Sequence, residues 1–160
     1  QWHAEFELGH ASIPILVHDV DADADSDIIW GLGHNYGLSW LEQKTDGGQR
    51  SWEKHLIDDS WSQPHFPLLA DLDGDGAEDL VVGKRYHAHN GHDPGGNDPV
   101  CVYYYTFDRG AKRWTRHVIH EGGRVGFGIN TAVEDIDGDG DLDVLAPGKS
   151  GLFLLENLRR

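Results

Sequence analysis

Short apolar segments recur along the chain, separated by turns rich in glycine and aspartate. The segments contain many β-branched and aromatic residues, as in the run from Val102 to Phe107, and they either alternate with polar residues or run continuously. Both patterns are typical of strands. No segment shows the apolar period of an amphipathic helix, and none is long enough to cross a membrane. The pattern therefore predicts an all-β fold built from many short strands.

One pattern occurs three times: an acidic turn that follows one apolar segment and precedes another. The turns begin at Asp19, Asp71 and Asp135, which are 52 and 64 residues apart. A Trp-x-x-His motif, at Trp52 and Trp114, precedes the second and third turns. A repeat of this length with four predicted strands is typical of a β-propeller blade.

The repeat divides the chain into three four-stranded units, at about residues 1–48, 49–110 and 111–160. In each unit the first strand carries the Trp-x-x-His motif, which residues Trp2 to Phe6 match weakly. The second strand leads into the acidic turn, the third leaves it, and the fourth is aromatic or rich in leucine. Propellers close with about four to eight blades, so three units predict an arc of a larger propeller, completed by further blades or by further copies of the chain. Because the chain begins with Gln1 and contains no methionine, we expect it to be processed or excised from a longer protein.

Carboxylates occupy positions 1, 3, 5 and 9 of each acidic turn, and we call residues 19–27, 71–79 and 135–143 the first, second and third acidic loops. Such a set of hard oxygens suits Ca²⁺, which takes about six to eight oxygen ligands. An EF-hand is excluded because position 12 holds no glutamate and strands, not helices, flank the loops. The predicted calcium ligands are Asp19, Asp21, Asp23, Asp27, Asp71, Asp73, Asp75, Asp79, Asp135, Asp137, Asp139 and Asp143.

Position 6 of each loop needs a left-handed backbone, which Gly76 and Gly140 supply in the second and third acidic loops. Ala24 stands at this position in the first loop, where a side chain costs about 1 kcal/mol. We therefore expect the first acidic loop to hold calcium most weakly.

The net charge of −15 arises largely in these loops, which contain 14 aspartates. Three bound Ca²⁺ ions would return six positive charges, so the acidity does not by itself indicate a cationic partner, and it argues against nucleic acid. Cys101 is the only cysteine, and we expect it to be a buried thiol on a strand. Calcium loops of modest affinity suit the millimolar calcium outside cells, so we expect an extracellular or periplasmic location.

The second unit contains an insertion. From the first aspartate of the loop to the next Trp-x-x-His motif there are 33 residues in the first unit and 43 in the second. The extra residues contain His87, His89 and His92, whose imidazoles can converge on an ion of the zinc class or serve as general acid and base. His34 and His65 lie where either could add a metal ligand. A polar, solvated loop with surface histidines explains the same residues.

Two further sets of residues have different expected roles. His55 and His117 recur in register on equivalent strands, and we expect them to be structural. Lys84, Arg85 and Lys149 stand out in an acidic chain and can bind an anionic or hydroxyl-rich ligand, although surface solvation explains them equally well.

The acidic loops and the strands beside them resemble those of the FG-GAP/VCBS repeat family of calcium-loop β-propellers. The second and third loops match the family motif Asp-x-Asp-x-Asp-Gly-x-x-Asp in full, and the first departs from it at Ala24. The resemblance covers the chain as three repeats and implies the propeller fold and bound calcium. It leaves the function open, because this fold is found in adhesion receptors, lectin-like modules and enzymes.

The inserted segment from His87 to Gly95 also resembles a loop in the propeller of proteins similar to aldos-2-ulose dehydratase, which are sugar lyases with additional cupin domains. That resemblance implies a metal-assisted dehydration of an oxidised sugar, with His87, His89 and His92 at the active site and Zn²⁺ beside Ca²⁺ as a cofactor. Two functions follow: a non-catalytic calcium module that binds a carbohydrate or a protein, or a metal-dependent sugar lyase.

Overall fold

The computed structural model describes residues 1–9, 11 and 13–159 as a nearly all-β protein, and it confirms the predicted fold class. Its strands form three antiparallel sheets, arranged like propeller blades. The first sheet contains β1 (Leu16–His18), β2 (Asp27–Gly31), β3 (Tyr36–Asp46) and β4 (Gln49–Ser62). The second contains β5 (Pro64–Ala70), β6 (Asp79–Lys84), β7 (Cys101–Asp108) and β8 (Arg113–Glu121). The third contains β9 (Ala132–Glu134), β10 (Asp143–Gly148) and β11 (Gly151–Leu155).

Strands that follow one another in the sequence lie side by side in every sheet. In such a meander the connections alternate between the two ends of the strands. The acidic loops connect the first two strands of each sheet and therefore share one end, which we call the acidic end. The β2–β3 turn, the inserted β6–β7 connection, the β10–β11 turn and the links between sheets share the other end, which we call the insertion end.

The sheets divide the chain one strand later than the units predicted from the repeat. The Trp-x-x-His segments belong to β4 and β8, which complete the sheets before them rather than open the next. β4 belongs to the first sheet because a tight hairpin joins it to β3. Gly47 and Gly48 form the turn with positive φ angles of 56° and 80°, and Asp46 pairs with Gln49 across it. A repeat fixes the period of a blade but not the strand with which it begins.

The two motif histidines have structural positions. His55 lies directly opposite Trp40 on the neighbouring strand and stacks on its ring, with ring centroids 4.6 Å apart. His117 stacks in the same way on Tyr104 at 4.5 Å. Their recurrence in register therefore reflects packing of an aromatic pair across the last two strands of each blade.

The apolar core lies between the sheets. Ile29 and Trp40 of the first sheet pack against Leu80 and Val82 of the second. Val81, between the latter two, packs in a separate cluster with the third sheet. The strand β6 is thus buried on both faces, which explains why its sequence is continuously apolar rather than alternating. Cys101 is buried on β7, as predicted.

The weak first copy of the Trp-x-x-His motif does not form a strand: residues 1–8 have no regular structure. Glu5 instead accepts hydrogen bonds from the side chains of Arg50 and Trp52, and Phe6 packs edge-on against Trp52. The segment covers the end of the long β3–β4 hairpin. Among the residues that the structure describes, none forms a helix with the length and hydropathy that a membrane crossing needs.

Candidate functional site

The three acidic loops occupy the same place in the three sheets, and in each loop three carboxylates converge. One oxygen from each aspartate at positions 1, 3 and 9 lies within 4.8 Å of the other two. These residues are Asp19, Asp21 and Asp27 in the first loop, Asp71, Asp73 and Asp79 in the second, and Asp135, Asp137 and Asp143 in the third.

Backbone hydrogen bonds hold the carboxylates at positions 1 and 9 of each loop. In the second and third loops they also hold the one at position 3, since Asp73 and Asp137 each accept from the N–H at position 5 at 3.1 Å. In the second loop, Asp79 at position 9 is buried and accepts a hydrogen bond from the Leu72 N–H at 3.0 Å. Asp71 at position 1 accepts hydrogen bonds from the N–H groups of Asp75 and Gly76, each at 3.0 Å. The first loop has the same three bonds. The third loop has two of them, in which the N–H at position 2 donates to the aspartate at position 9 and the N–H at position 6 donates to the aspartate at position 1. The local sequence thus fixes the carboxylates before any ligand binds.

The aspartates at position 5 remain predicted ligands, and in the structure each also accepts a hydrogen bond within its turn. Asp23, Asp75 and Asp139 do not join the three-carboxylate groups. Their side chains accept hydrogen bonds from the backbone N–H two residues further on, at 2.9, 2.8 and 3.2 Å. In this geometry they brace the turn, and three carboxylates in each loop face the candidate ion.

The electrostatics of the loops fit a cation. Burial, together with the charges of Asp73 and Asp75, raises the pKa of Asp79 to about 6, against the backbone hydrogen bonds that lower it. Buried carboxylate oxygens without a hydrogen-bond partner occur in the first and third loops, at Asp21 Oδ1 and Asp141 Oδ1. Carboxylates that are crowded, partly desolvated and unpartnered are suitable ligands for Ca²⁺.

The first acidic loop differs from the others at two positions. Ala24 has a φ of 74°, as the sequence predicted, and Ala22 at position 4 also has a positive φ, of 62°. Glycine stands at both positions in the other two loops. The first loop also contacts a cationic side chain of the protein itself: Lys112 in the β7–β8 turn donates to Asp21 Oδ2 at 2.7 Å. The sequence did not indicate this contact, which joins residues 91 positions apart.

We expect replacement of both alanines, in the variant Ala22→Gly/Ala24→Gly, to stabilise the calcium-bound protein by about 1 kcal/mol, since relief of about 1–2 kcal/mol of strain at each positive φ outweighs the unfolded-chain entropy of about 0.5–1 kcal/mol that each glycine adds. Urea unfolding at saturating calcium measures the change. The matched control is Ala77→Gly in the second loop, where φ is not positive. There the substitution should destabilise by about 0.5–1 kcal/mol, through unfolded-chain entropy. Equal effects at the two loops would contradict the strain in the first.

A second group of metal-ligating side chains lies at the insertion end. His34 Nδ1 and His89 Nδ1 both donate hydrogen bonds to Asp93 Oδ2, at 3.0 and 2.8 Å. The two rings stack with centroids 4.6 Å apart. These bonds hold the pKa of Asp93 below its ordinary value, the bond from His34 first and then that from His89. We call His34, His89 and Asp93 the histidine cluster.

The histidine cluster differs from the predicted convergence of His87, His89 and His92. His87 and His92 are exposed, and in the described part of the chain neither belongs to a group of three metal-ligating side chains. The reason is the short 3₁₀ turn Ala88–Gly91, which buries Ala88 while Asp93 holds the ring of His89. Asp93 was not among the predicted ligands.

Three contacts fix the insertion on the first sheet. Lys84 is buried, and its Nζ donates to the Gly95 carbonyl at 2.8 Å and to Ser62 Oγ at 2.6 Å. Tyr36 donates its hydroxyl to Asp98 at 2.6 Å. The bond from His34 to Asp93 is the third. Lys84 is therefore a structural residue of the insertion rather than an exposed ligand-binding cation.

His65 lies apart from the histidine cluster and lines a cleft between the second and third sheets. Its Nδ1–H donates to the Gly128 carbonyl at 2.5 Å. Burial lowers the pKa of His65, against the effect of this hydrogen bond, and the charges of Arg85 and His34 lower it further. Of these two charged groups, Arg85 lines the same cleft and His34 belongs to the histidine cluster.

A comparison with known protein families supports the predicted repeat of acidic loops and strands. Residues 19–82, which contain the first two acidic loops and the strands between them, match the FG-GAP-like repeat family. No curated protein and no solved structure matches the chain, so the resemblance to aldos-2-ulose dehydratase gains no support from these comparisons. The fold and the FG-GAP-like match together define a β-propeller-type module.

Proposed function

We propose that the chain is a calcium-stabilised β-propeller module that presents its insertion end to a carbohydrate or protein ligand. The observation that carries the proposal is the convergence of three carboxylates at the same place in all three sheets. Because these ions would lie at the acidic end, they would brace the blades and leave the loops of the opposite end for recognition. Functional residues are common on loops that a rigid scaffold positions.

The third sheet supports the proposal that further blades, or further copies of the chain, complete the propeller. In the described residues it has three strands, and its outward face exposes Leu152 and Leu154, which are 69% and 47% accessible. The corresponding face of the second sheet is covered by the third. Calcium loops of this kind suit an extracellular or periplasmic setting, where calcium is millimolar.

Elemental analysis of the purified protein, equilibrated with calcium and then washed, tests the calcium sites. We expect about one calcium ion per acidic loop, with the first loop the first to lose its ion during washing. Asp79→Asn should reduce the calcium content by one ion because it removes a ligand from the second loop. Asp59→Asn makes the same chemical change at an exposed position outside the loops and should leave the content unchanged. A protein without calcium would overturn the proposal.

A second candidate function is a metal-dependent sugar lyase, which the histidine cluster favours. Two imidazoles and a carboxylate are suitable ligands for an ion of the zinc class, and they leave coordination positions open. Such an ion supplies polarisation of a carbonyl oxygen beside a carbon that loses a proton. His87 and His92, exposed on the same insertion, are the residues that could move that proton.

Zinc content separates this candidate from the non-catalytic module. If the cluster binds zinc, we expect about one zinc ion per chain in addition to calcium, and its loss in His34→Ala and in His89→Ala. His92→Ala removes an exposed imidazole of the same insertion and should retain the ion. Zinc that is absent, or that is lost equally in all three variants, would exclude the cluster as the metal site.

A further inference from the structure

A cleft of about 410 Å³ opens at the insertion end between the second and third sheets. Its volume is typical of small-molecule sites, about 300–1,000 Å³. Phe127, which is 1% accessible, lies beneath the floor between Gly126 and Gly128, and the exposed side chain of Ile129 supplies apolar surface to the cleft itself. Phe127 N–H donates to the Lys84 carbonyl at 3.0 Å, and Gly128 N–H donates to the Pro147 carbonyl at 2.6 Å. Main-chain bonds to both sheets thus hold the floor rigidly in place.

Glycine is required on both sides of this phenylalanine. A β-carbon at position 126 would lie 2.3 Å from the Lys84 carbonyl oxygen, and one at position 128 would lie 2.7 Å from the Pro147 carbonyl oxygen. Gly83 on β6 leaves the room that the Phe127 ring occupies, since a β-carbon there would lie 2.6 Å from the ring. Residues 126–128 can therefore approach both sheets closely, and they lie directly beneath the apolar floor of the cleft.

The charge of the cleft is opposite to that of the protein. Arg85 and Lys149 line it, and no aspartate or glutamate does. Neither cation forms a salt bridge within residues 1–9, 11 and 13–159. In a chain with a net charge of −15, two cations without acidic partners in one cleft indicate a site for an anionic group.

The remaining polar groups of the cleft suit hydroxyl groups. His65 gives its Nδ1 proton to the Gly128 carbonyl, and burial favours the neutral ring, so Nε2 is available as a hydrogen-bond acceptor. The half-buried Tyr86 adds a hydroxyl that both donates and accepts. An apolar floor with the exposed Ile129, a few convergent polar groups and two cations form a mixed surface, as in many small-ligand sites.

We propose that this cleft binds a uronic acid residue of a short acidic glycan, with its carboxylate on Arg85 and Lys149 and its ring over the apolar floor. The inference rests on the proposed function, in which the insertion end binds a carbohydrate, and it names the class of sugar. Inorganic phosphate matches the cations but not the apolar floor. A long polyanion matches the cations but is repelled by the acidic protein as a whole.

Isothermal titration calorimetry at saturating calcium tests the proposal with three probes: methyl galacturonoside, its methyl ester and methyl galactoside. The three share one ring and differ in the charge or presence of the carboxyl group. We expect the free acid to bind at least about tenfold more tightly than the ester or the neutral galactoside, the effect of one charge-assisted hydrogen bond. Equal binding of acid and ester, or binding of none of the three, would overturn the inference. Inorganic phosphate that binds as tightly as the acid would also overturn it, since the sugar ring would then contribute nothing.

Substitutions locate the binding to the cleft. Arg85→Gln and Lys149→Gln should each weaken binding of methyl galacturonoside by about tenfold and leave the weak binding of methyl galactoside unchanged. Arg113→Gln removes the same charge from an exposed position on β8, outside the cleft, and should have no effect. A loss in Arg113→Gln equal to that in Arg85→Gln would show that net charge, not the cleft, governs binding. Circular dichroism spectra and melting temperatures of the variants establish that each is folded.

The results distinguish this inference from the proposed function. If calcium is present and the protein binds neutral glycans or a protein but shows no preference for the uronic acid, the cleft assignment fails and the module survives. If calcium is absent and no glycan or protein ligand binds, the proposed function itself fails.

Discussion

Removal of calcium is expected to lower the free energy of unfolding by about 5 kcal/mol, which is comparable to the whole stability of many domains. A ligand that binds only the folded state stabilises it by about 2.7 kcal/mol when its concentration is a hundred times its dissociation constant. The second and third acidic loops, with glycine at both left-handed positions, should each reach that value in about 10 mM calcium, which is a hundred times a dissociation constant of about 10⁻⁴ M. The first loop should contribute less, because of its strained alanines and its contact with Lys112.

Urea unfolding in calcium and in a chelator measures this effect, and restored calcium should reverse it. Asp79→Asn should remove about half of the calcium-dependent increment, because it disables one of the two stronger loops. Asp59→Asn is the control, since it makes the same change at an exposed residue outside the loops. Unfolding curves that coincide with and without calcium would contradict a stabilising role for the ions.

The acidic loops show how much of the site the sequence could predict. The spacing of aspartates at positions 1, 3 and 9 was sufficient to predict that they converge, because the turn is local and, in the second loop, its own backbone N–H groups orient all three carboxylates. The role of position 5 was not predictable from spacing alone. Asp75 has the same chemistry as Asp73 and likewise accepts from the N–H two residues further on, and only the course of the backbone keeps its oxygens outside the group of three.

The histidine cluster shows the limit of a local pattern. His87, His89 and His92 are close in sequence, but His89 meets His34 and Asp93 instead. The contact between His34 and Asp93 spans 59 residues and depends on the packing of the first sheet against the insertion. One local signal was available: Asp93 lies four residues after His89, within reach of a turn. The predicted ligands of the insertion were all histidines, and Asp93 was therefore not among them.

The boundaries of the blades illustrate the same limit at the level of the fold. The period and the strand types could be predicted because they depend on residue patterns. Assignment of β4 to the first sheet depends on the length of the hairpin at Gly47 and Gly48, and on the fit of His55 against Trp40. The Trp-x-x-His motif was recognised in the sequence, yet the order of strand types along the chain is equally compatible with either grouping.

Glu42→Gln is expected to destabilise the protein by about 3 kcal/mol, the typical scale for breaking a buried ion pair. The Glu42 side chain is 1% accessible, and it accepts hydrogen bonds from His55 Nε2 at 2.6 Å, from Lys44 Nζ at 3.1 Å and from Lys112. The neutral amide keeps the shape of the side chain but gives up its charge-assisted bonds. Glu53→Gln is the control, because Glu53 is exposed and pairs with Lys44 alone, so we expect a loss below about 1 kcal/mol.

The pH dependence of stability tests the same carboxylate independently of substitution effects on packing. Burial alone would raise the pKa of Glu42, but the hydrogen bonds from Lys112, His55 and Lys44 outweigh it and lower the pKa from 4.5 to about 2. A carboxyl group whose pKa is lower in the folded state stabilises the protein above its unfolded pKa and loses that contribution as the pH falls to its folded pKa. Between pH 5 and 2, urea unfolding should therefore show a loss of stability that is larger by about 3 kcal/mol in Glu53→Gln than in Glu42→Gln. If Glu42→Gln and the unsubstituted protein lose stability with the same slope, the buried carboxylate is not the group that titrates, and the three donors around it do not stabilise its charge.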